Sequence, residues 1–293
     1  MTAQQTAQFD LLSGFRRATP FIPGDSVRGY FGRALSASRR RPANLPPCQN
    51  VTVTFPSDIG QPANPPTTLT AAVVDPSSTV TGEVNATGCD VGVALDSNSA
   101  GARIVDAQIH DANQFGILGV SSKNTLIVNS TIFRIGWHDA TGFDPNGVQT
   151  GVGIDFEHGS AQISGAFITQ YQKNGTAFDF GSNVSIANSC VIGLGTVNYI
   201  AQNGVQWYES IVRGAAHTLA TANHYNNPSD TLYNGQATGF LVLCTNLKFV
   251  TTNTILTDYD YFFDNDIPTY ISNNEPTATN PNADCPTGYQ SNL

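Results

Sequence analysis

The chain has 293 residues, of which 12% are charged, and its formal net charge is −9 at pH 7. Soluble proteins usually have about 25% charged residues, so uncharged polar side chains must provide much of the solvated surface. No run of about 18 apolar residues occurs, so the sequence contains no membrane span. The acidic balance disfavours nucleic acid as a partner.

Residues 1–47 are predicted to form a basic N-terminal arm. Seven of the thirteen Lys and Arg residues lie within the first 41 positions, where only two acidic residues occur. The Arg-rich and Ser-rich composition resembles a targeting segment, but the apolar core of a secretory signal is missing. We therefore expect an arm in which residues 9–15, FDLLSGF, pack as an amphipathic cap over one end of the body.

The cysteine pattern favours export over metal binding. There are five cysteines, with no CxxC pair and no histidine at metal-ligand spacing, so no zinc site is expected. Few lysines, many Asn, Thr and Ser residues, and five glycosylation sequons are typical of a secreted, extracellular protein. In that setting Cys48 can pair with Cys89, and Cys244 with Cys285.

A repeat runs through most of the chain. Each repeat begins with a glycine that opens an alternating apolar run, and a second alternating run follows. An apolar spacing of two indicates short β-strands and excludes a helical repeat. The opening glycines are Gly92, Gly116, Gly151, Gly175, Gly204 and Gly239, at successive spacings of 24, 35, 24, 29 and 35 residues.

This repeat predicts an all-β, single-stranded, right-handed parallel β-helix over residues 48–270, followed by a C-terminal strap or cap over residues 271–293. Successive coils would stack at about 4.8 Å, so equivalent positions form ladders along the axis. We expect the glycines to mark a sharp bend that only glycine accepts. Asn129 and Asn188 are expected to form an inward-facing ladder at a second turn.

Four segments carry a resemblance to a known group. The phrases NATGCDVGVALD, NGVQTGVGIDF, YQKNGTAFDFG and LGTVNYIAQNGVQ, with the coil pattern over roughly residues 80–265, resemble the right-handed β-helix proteins of the pectate lyase-like superfamily. They are most similar to exported bacterial members that mostly have no assigned activity. The resemblance implies the fold. It implies no single activity, since the superfamily includes lyases, hydrolases, epimerases, adhesins and tailspikes, and the catalytic segments of polygalacturonases and pectate lyases do not occur.

Two long intervals between repeats begin at Gly136 and Gly214, each after the second run of its repeat. We expect both loops to leave the same edge of the solenoid and to wall a trough. Strand alternation predicts that Asp155, Asp179 and Tyr208 form the solvent-facing floor of that trough.

The acidic floor suggests paired-carboxylate chemistry. Asp155 and Asp179 are predicted on adjacent coils about 5 Å apart, the separation of retaining glycosidases. One pKa would then rise, which places an acid beside a base, and His138 would be a second proton carrier. The same carboxylates could hold Ca²⁺. The structural alternative is a solubilising charge on an exposed strand.

The sequence therefore predicts a polysaccharide or cell-surface glycan as partner, either bound only or also cleaved by a glycoside hydrolase or polysaccharide lyase reaction. The alternative is a non-catalytic structural or adhesive solenoid that self-assembles or coats a surface. Lys173 would act as a lyase base or pair with Asp179. The predicted substrate-binding residues are Trp137, Gln206, Tyr208, Lys173 and Tyr225.

Overall fold

The computed structural model describes residues 41–56, 64–76, 78–229, 237–243, 245–247, 250–257, 259–264 and 277–280. The predicted arm and strap lie almost entirely outside these residues, so the domain boundaries at 47 and 270 stay predictions. The described residues contain no helix, and therefore no helix that could cross a membrane.

Twenty-one strands account for the regular structure of the described residues. They are β1 (Gln49–Val53), β2 (Thr67–Val74), β3 (Val80–Asn85), β4 (Val91–Leu95), β5 (Arg103–His110), β6 (Phe115–Val120), β7 (Thr125–Val128), β8 (Thr131–Ile135), β9 (Val152–Glu157), β10 (Ser160–Ser164), β11 (Phe167–Tyr171), β12 (Asn174–Asp179), β13 (Asn183–Ala187), β14 (Cys190–Val197), β15 (Asn203–Tyr208), β16 (Ile211–Tyr225), β17 (Thr238–Leu243), β18 (Asn246–Leu247), β19 (Val250–Thr257), β20 (Tyr259–Asp264) and β21 (Thr277–Asn280).

Sheet A is one long side of the molecule. Its strands pair in the order β1-β2-β4-β6-β9-β12-β15-β17-β20-β21. From β2 to β20, consecutive members of this sheet are separated in the chain by strands of the other sides. Only the β1–β2 pairing is antiparallel among the strand pairings that the structure describes.

The other two sides, sheets B and C, are joined by two long strands. The first half of β5 pairs with β7 and its second half with β8. At the far end, β16 pairs through its first half with β13 and through its second half with β14. Sheet B therefore continues through β7, β10 and β13, and sheet C through β8, β11 and β14. Each coil runs from sheet A to B to C, and the predicted all-β, right-handed parallel β-helix is confirmed.

The corner between sheets B and C is a single left-handed residue in the coils from β5 to β16. Asn129 and Asn188 have φ values of 47° and 48°, and both side chains are exposed, so their predicted inward direction is wrong. The next residue turns inward instead: Ser130 Oγ donates to the Val128 carbonyl at 2.9 Å. A short polar side chain tolerates the left-handed backbone. The equivalent corner residues are Asp106, Gly165 and His217.

The glycines that open the sheet A strands lie in register over one another. A Cβ on Gly153 would lie 2.5 Å from the carbonyl oxygen of Gly175 and 2.6 Å from Ile168 Cγ2. Gly153 has no positive φ, so its backbone conformation does not require a glycine and the predicted sharp bend is wrong. The glycine is required because sheets A and C pack too closely there for a Cβ. Gly151, the predicted member, has a φ of 92° and precedes the ladder. The ladder consists of Gly92, Gly116, Gly153, Gly175, Gly204 and Gly239.

The interior between the sheets is filled by aliphatic and aromatic side chains. Phe178, Trp207 and Phe240 from successive sheet A strands stack along the axis, with ring centroids 5.7 and 6.3 Å apart. All three side chains are fully buried. Their alternation with outward residues fixes which side chains of sheet A lie on its outer face.

Candidate functional site

The predicted acidic floor is on the outer face of sheet A, but that face is buried. Asp155 and Asp179 retain only 4% and 1% of their exposure, and Glu157 and Gln206 are as deeply buried. Every residue of β9 and β12 is buried on both faces of the sheet. The prediction that Asp155 and Asp179 face solvent is therefore wrong, the predicted substrate-binding Gln206 is buried beside them, and Tyr208 is half-buried.

The register also differs from the one that the repeated phrase suggested. Asp155 pairs with Ala177, and Asp179 pairs with Glu157 on one side and Tyr208 on the other. The predicted lateral Asp155–Asp179 pair is therefore wrong, because the two phrases are offset by two residues. An offset of two preserves the face of the strand, so Asp155, Glu157 and Asp179 still lie on one side.

Burial dominates the electrostatics of these three groups. It raises the pKa of Asp155 to about 8. Burial and the charges of Asp155 and Asp179 raise the pKa of Glu157 well above its usual value. The pKa of Asp179 is also raised by burial and by Asp155, although Gln206 Nε2 donates to its oxygens at 3.1 and 3.3 Å. Burial therefore favours the protonated form of all three carboxyl groups.

The carboxyl cluster does not form a metal site by itself. Among the described residues, no three His, Cys, Asp or Glu side chains converge on a position that could hold a metal ion. Ca²⁺ needs six to eight oxygen ligands, and both oxygens of Asp179 already accept from Gln206 Nε2. These residues therefore do not support the Ca²⁺ alternative.

His138 and Trp137 belong to a loop that is fastened at its base. Trp137 N donates to Gln172 Oε1 at 3.0 Å, and the same oxygen accepts from Asn146 N at 3.2 Å. His138 is buried, with Nδ1 2.8 Å from the Gly136 carbonyl oxygen and Nε2 3.4 Å from Asp111 Oδ1. The His138 ring is therefore directed at Asp111.

The second predicted loop is largely a strand. Residues 211–225 form β16, which spans sheets B and C, and Tyr225 lies buried at its end beside Val197. Lys173 is also buried, its Nζ donates to the Ala201 carbonyl at 2.8 Å, and burial lowers its pKa to about 8. The predicted second wall is therefore wrong for residues 214–225, and residues 230–236 of the same interval lie outside the described residues.

A charged cluster that the sequence did not predict lies at the edge of sheet C. His110 lies between two carboxylates, with Nδ1 2.8 Å from Asp111 Oδ2 and Nε2 3.0 Å from Glu83 Oε1. Arg134 Nη2 donates to Asp111 Oδ2 at 2.8 Å. His138 completes the group through Asp111. Asp111 and Arg134 are separated by 23 residues, close to the coil spacing of 24. This spacing is the sequence feature from which their contact could have been predicted.

The cluster favours the charged forms of His110 and Asp111. The hydrogen bond to Asp111 raises the pKa of His110, and burial opposes it. Burial alone would raise the pKa of Asp111, but hydrogen bonds from His110 and His138 and the charge of Arg134 hold it well below its usual value. Because His138 belongs to the 136–149 loop, Asp111 ties that loop to the first coils.

An open groove lies on the outer face of sheet B. Its volume is about 320 Å³, and it crosses β5, β7, β10 and the beginning of β13. Neutral hydrogen-bonding side chains dominate the lining, with one cation at one end. The lining residues are Arg103, Asn124, Thr125, Leu126, Ser160, Ala161, Gln162 and Asn183.

No family model and no curated protein matches this chain. Among solved structures, the chain is similar to the crystal structure of pectate lyase Pel9A, with 13% sequence identity and a TM-score of 0.30. The match covers 60% of this chain and 50% of that one, so the chain spans half the length of that structure. At this level the likeness says nothing of activity or ligand.

Proposed function

We propose that this protein is an exported β-helix that binds a polysaccharide in the groove on sheet B. The groove itself carries the proposal, since its volume of about 320 Å³ lies within the range of ligand sites. Asn124 and Gln162 are exposed and offer amide groups of the kind that pair with sugar hydroxyls, and Leu126 offers an apolar surface. The groove crosses successive coils, which suits an extended chain.

Export is supported by the cysteines. Cys48 and Cys89 form a disulfide, as predicted, with their Cα atoms 5.8 Å apart. Structural disulfides form and persist in oxidising compartments such as the extracellular space. The second predicted pair, Cys244 with Cys285, lies outside the described residues. Together with the low charge and the sequons, the Cys48–Cys89 bond favours an extracellular protein.

Cleavage of the glycan stays a prediction. The catalytic roles of Asp155, Asp179 and His138 require access to a buried sheet face and to a buried ring. The predicted substrate-binding roles of Gln206 and Tyr208 also require a substrate on this face. Trp137, Lys173 and Tyr225 were predicted to bind the same substrate, so their roles depend on the same access. Binding in the open groove requires no such opening, so we propose binding as the function.

Two glutamines offer a matched test of binding. Gln162 lies in the groove on sheet B, whereas Gln108 lies on sheet C, and both are exposed on strands. For the parent, affinity should be measured across a panel of neutral and acidic polysaccharides. Gln162→Ala should weaken the best ligand about three- to tenfold, the value of one or two hydrogen bonds. Gln108→Ala should leave the affinity unchanged.

Arg103→Ala reports on ligand charge in the same assay, because it should weaken acidic ligands more than neutral ones. If Gln162→Ala and Gln108→Ala behave alike, the groove is not the site. If the parent binds no member of the panel, the non-catalytic structural or adhesive alternative replaces this proposal.

A further inference from the structure

The outer part of the 136–149 loop is a small hairpin over residues 138–144. Two backbone hydrogen bonds close it: Asp139 N donates to the Gly142 carbonyl oxygen, and Asp144 N donates to the Trp137 carbonyl oxygen, each at 3.0 Å. A two-stranded hairpin alone is marginally stable at best in water. The 138–144 hairpin therefore needs contacts with the body of the protein to keep these two bonds closed.

The contact between His138 and Asp111 joins this hairpin to the first coils. His138 Nε2 lies 3.4 Å from Asp111 Oδ1, and His138 Nδ1 lies 2.8 Å from the Gly136 carbonyl oxygen. A carboxylate and a carbonyl oxygen are both acceptors, so each ring nitrogen must carry a proton to make its hydrogen bond. Only the imidazolium form of His138 makes both bonds, whereas a ring with one proton turns a bare nitrogen towards an acceptor.

Asp111 keeps other partners when His138 loses a proton. Arg134 Nη2 donates to Asp111 Oδ2 at 2.8 Å, and His110 Nδ1 lies 2.8 Å from the same oxygen. On its far side, His110 Nε2 lies 3.0 Å from Glu83 Oε1. These partners belong to the coils and not to the loop, so they hold Asp111 in place, and the lost bond affects the hairpin.

Two further carboxylates belong to the hairpin. Asp139 Oδ1 accepts from the backbone nitrogens of Thr141 and Gly142, at 2.7 and 3.0 Å. Burial and the charge of Asp144 raise the pKa of Tyr199, which places the Asp144 carboxylate near that residue. Within the described part of the chain, the ion pair that the structure shows for His138 is the one with Asp111.

We propose that His138 is a pH-sensitive latch for the 138–144 hairpin. The doubly protonated ring fastens the hairpin to Asp111 in acid, and loss of one proton releases it as pH rises. Burial supports the proposal, because His138 is only 2% exposed and water cannot replace the lost bond unless the hairpin opens. The latch is independent of the groove on sheet B.

The test measures amide hydrogen exchange of the full chain at about pH 5 and about pH 8, which bracket histidine titration. The amides of Asp139 and Asp144 report on the hairpin, and those of β12 report on the body. Each rate is compared with that of an unstructured chain at the same pH, so the protection factor excludes the intrinsic pH effect. The forms are the parent, His138→Asn and the control His158→Asn. His158 is exposed at a left-handed corner, where asparagine is tolerated.

In the parent and in His158→Asn, protection of both hairpin amides should fall about tenfold or more from the lower to the higher pH, relative to β12. This is the value of one hydrogen bond to a charged group. In His138→Asn, protection should be low at both pH values.

Constant protection in the parent would overturn the proposal. So would a fall of the same size in His138→Asn, because another group would then control the hairpin. If His138→Asn does not fold, the parent decides: its protection must fall at the pH where the His138 ring signals titrate in NMR spectra, and a fall at any other pH rejects the latch.

Discussion

At the scale of single residues, the strongest local arrangement is the one around Asp111. This carboxylate is buried and contacts His110, His138 and Arg134 from three segments of the chain. Removing one partner of a buried charged network leaves the others uncompensated. Asp111 therefore stabilises both the first coils and the 136–149 loop.

We predict that Asp111→Asn lowers the free energy of unfolding by about 2 kcal/mol, a value discounted because Arg134 is partly exposed. The measurement is urea denaturation of the parent, of Asp111→Asn and of Asp106→Asn. Asp106 is an exposed residue at a left-handed corner, where asparagine is tolerated. Equal midpoints for the two variants would contradict the assigned role of Asp111.

The same residues give a pH dependence with a definite sign. The pKa of His110 is raised in the folded state, so its contribution to stability is fully present below its ordinary pKa of 6.5 and is lost as pH rises through the folded value. The parent should therefore lose stability as pH rises above about 6.5 and through the raised folded-state pKa of His110, and Asp111→Asn should lose less over the same range. A steeper loss in the variant would contradict this prediction.

Residue identity could be predicted from the sequence only in part. The Cys48–Cys89 pair followed from composition, and the face of Asp155 followed from strand alternation. The burial of Asp155 did not follow, because burial depends on what covers the sheet. The contacts of Glu83, His110 and Arg134 join neighbouring coils. Predicting them requires the exact number of residues in each coil, and the repeat spacing of the sequence gives that number only approximately.

At the scale of elements, the register of sheet A depends on its glycine ladder. Each opening glycine faces the carbonyl oxygen of the next, and sheet C packs against the space that a Cβ would occupy. Because cores are close-packed, the neighbouring strands cannot shift without loss elsewhere.

We predict that Gly153→Ala lowers the free energy of unfolding by about 3 kcal/mol or more, because its Cβ would overlap Gly175 and Ile168. Gly101→Ala is the control: Gly101 has open space around it but a φ of 79°, so the cost there should be about 1–2 kcal/mol. Thermal and urea unfolding of both variants would measure the difference. A smaller loss for Gly153→Ala than for Gly101→Ala would contradict the packing role.

The period-two pattern predicted strands and a solenoid, but it could not fix the register. Gly151 and Gly153 are two residues apart, so either choice keeps the same alternation, and only the structure distinguishes them. The long interval at Gly214 was interpreted as a loop because of its length. Its first part, as far as Tyr225, is a strand that passes a left-handed corner at His217.

At the scale of the whole molecule, the three sheets differ in what they offer. Sheet A is buried on its outer face, sheet C carries the charged cluster and an exposed Phe167, and sheet B carries the open groove. A ligand as large as a polysaccharide needs an accessible surface. The division therefore favours sheet B as the binding side and sheet A as the covered side.

The most direct measurement is hydroxyl-radical footprinting with and without the best polysaccharide of the panel. Leu126 reports on the groove, Phe167 on sheet C and Tyr208 on sheet A. We predict that the ligand slows oxidation of Leu126 and leaves Phe167 and Tyr208 unchanged. Protection of Tyr208 with no change at Leu126 would contradict the account, because it would place the glycan on the outer face of sheet A.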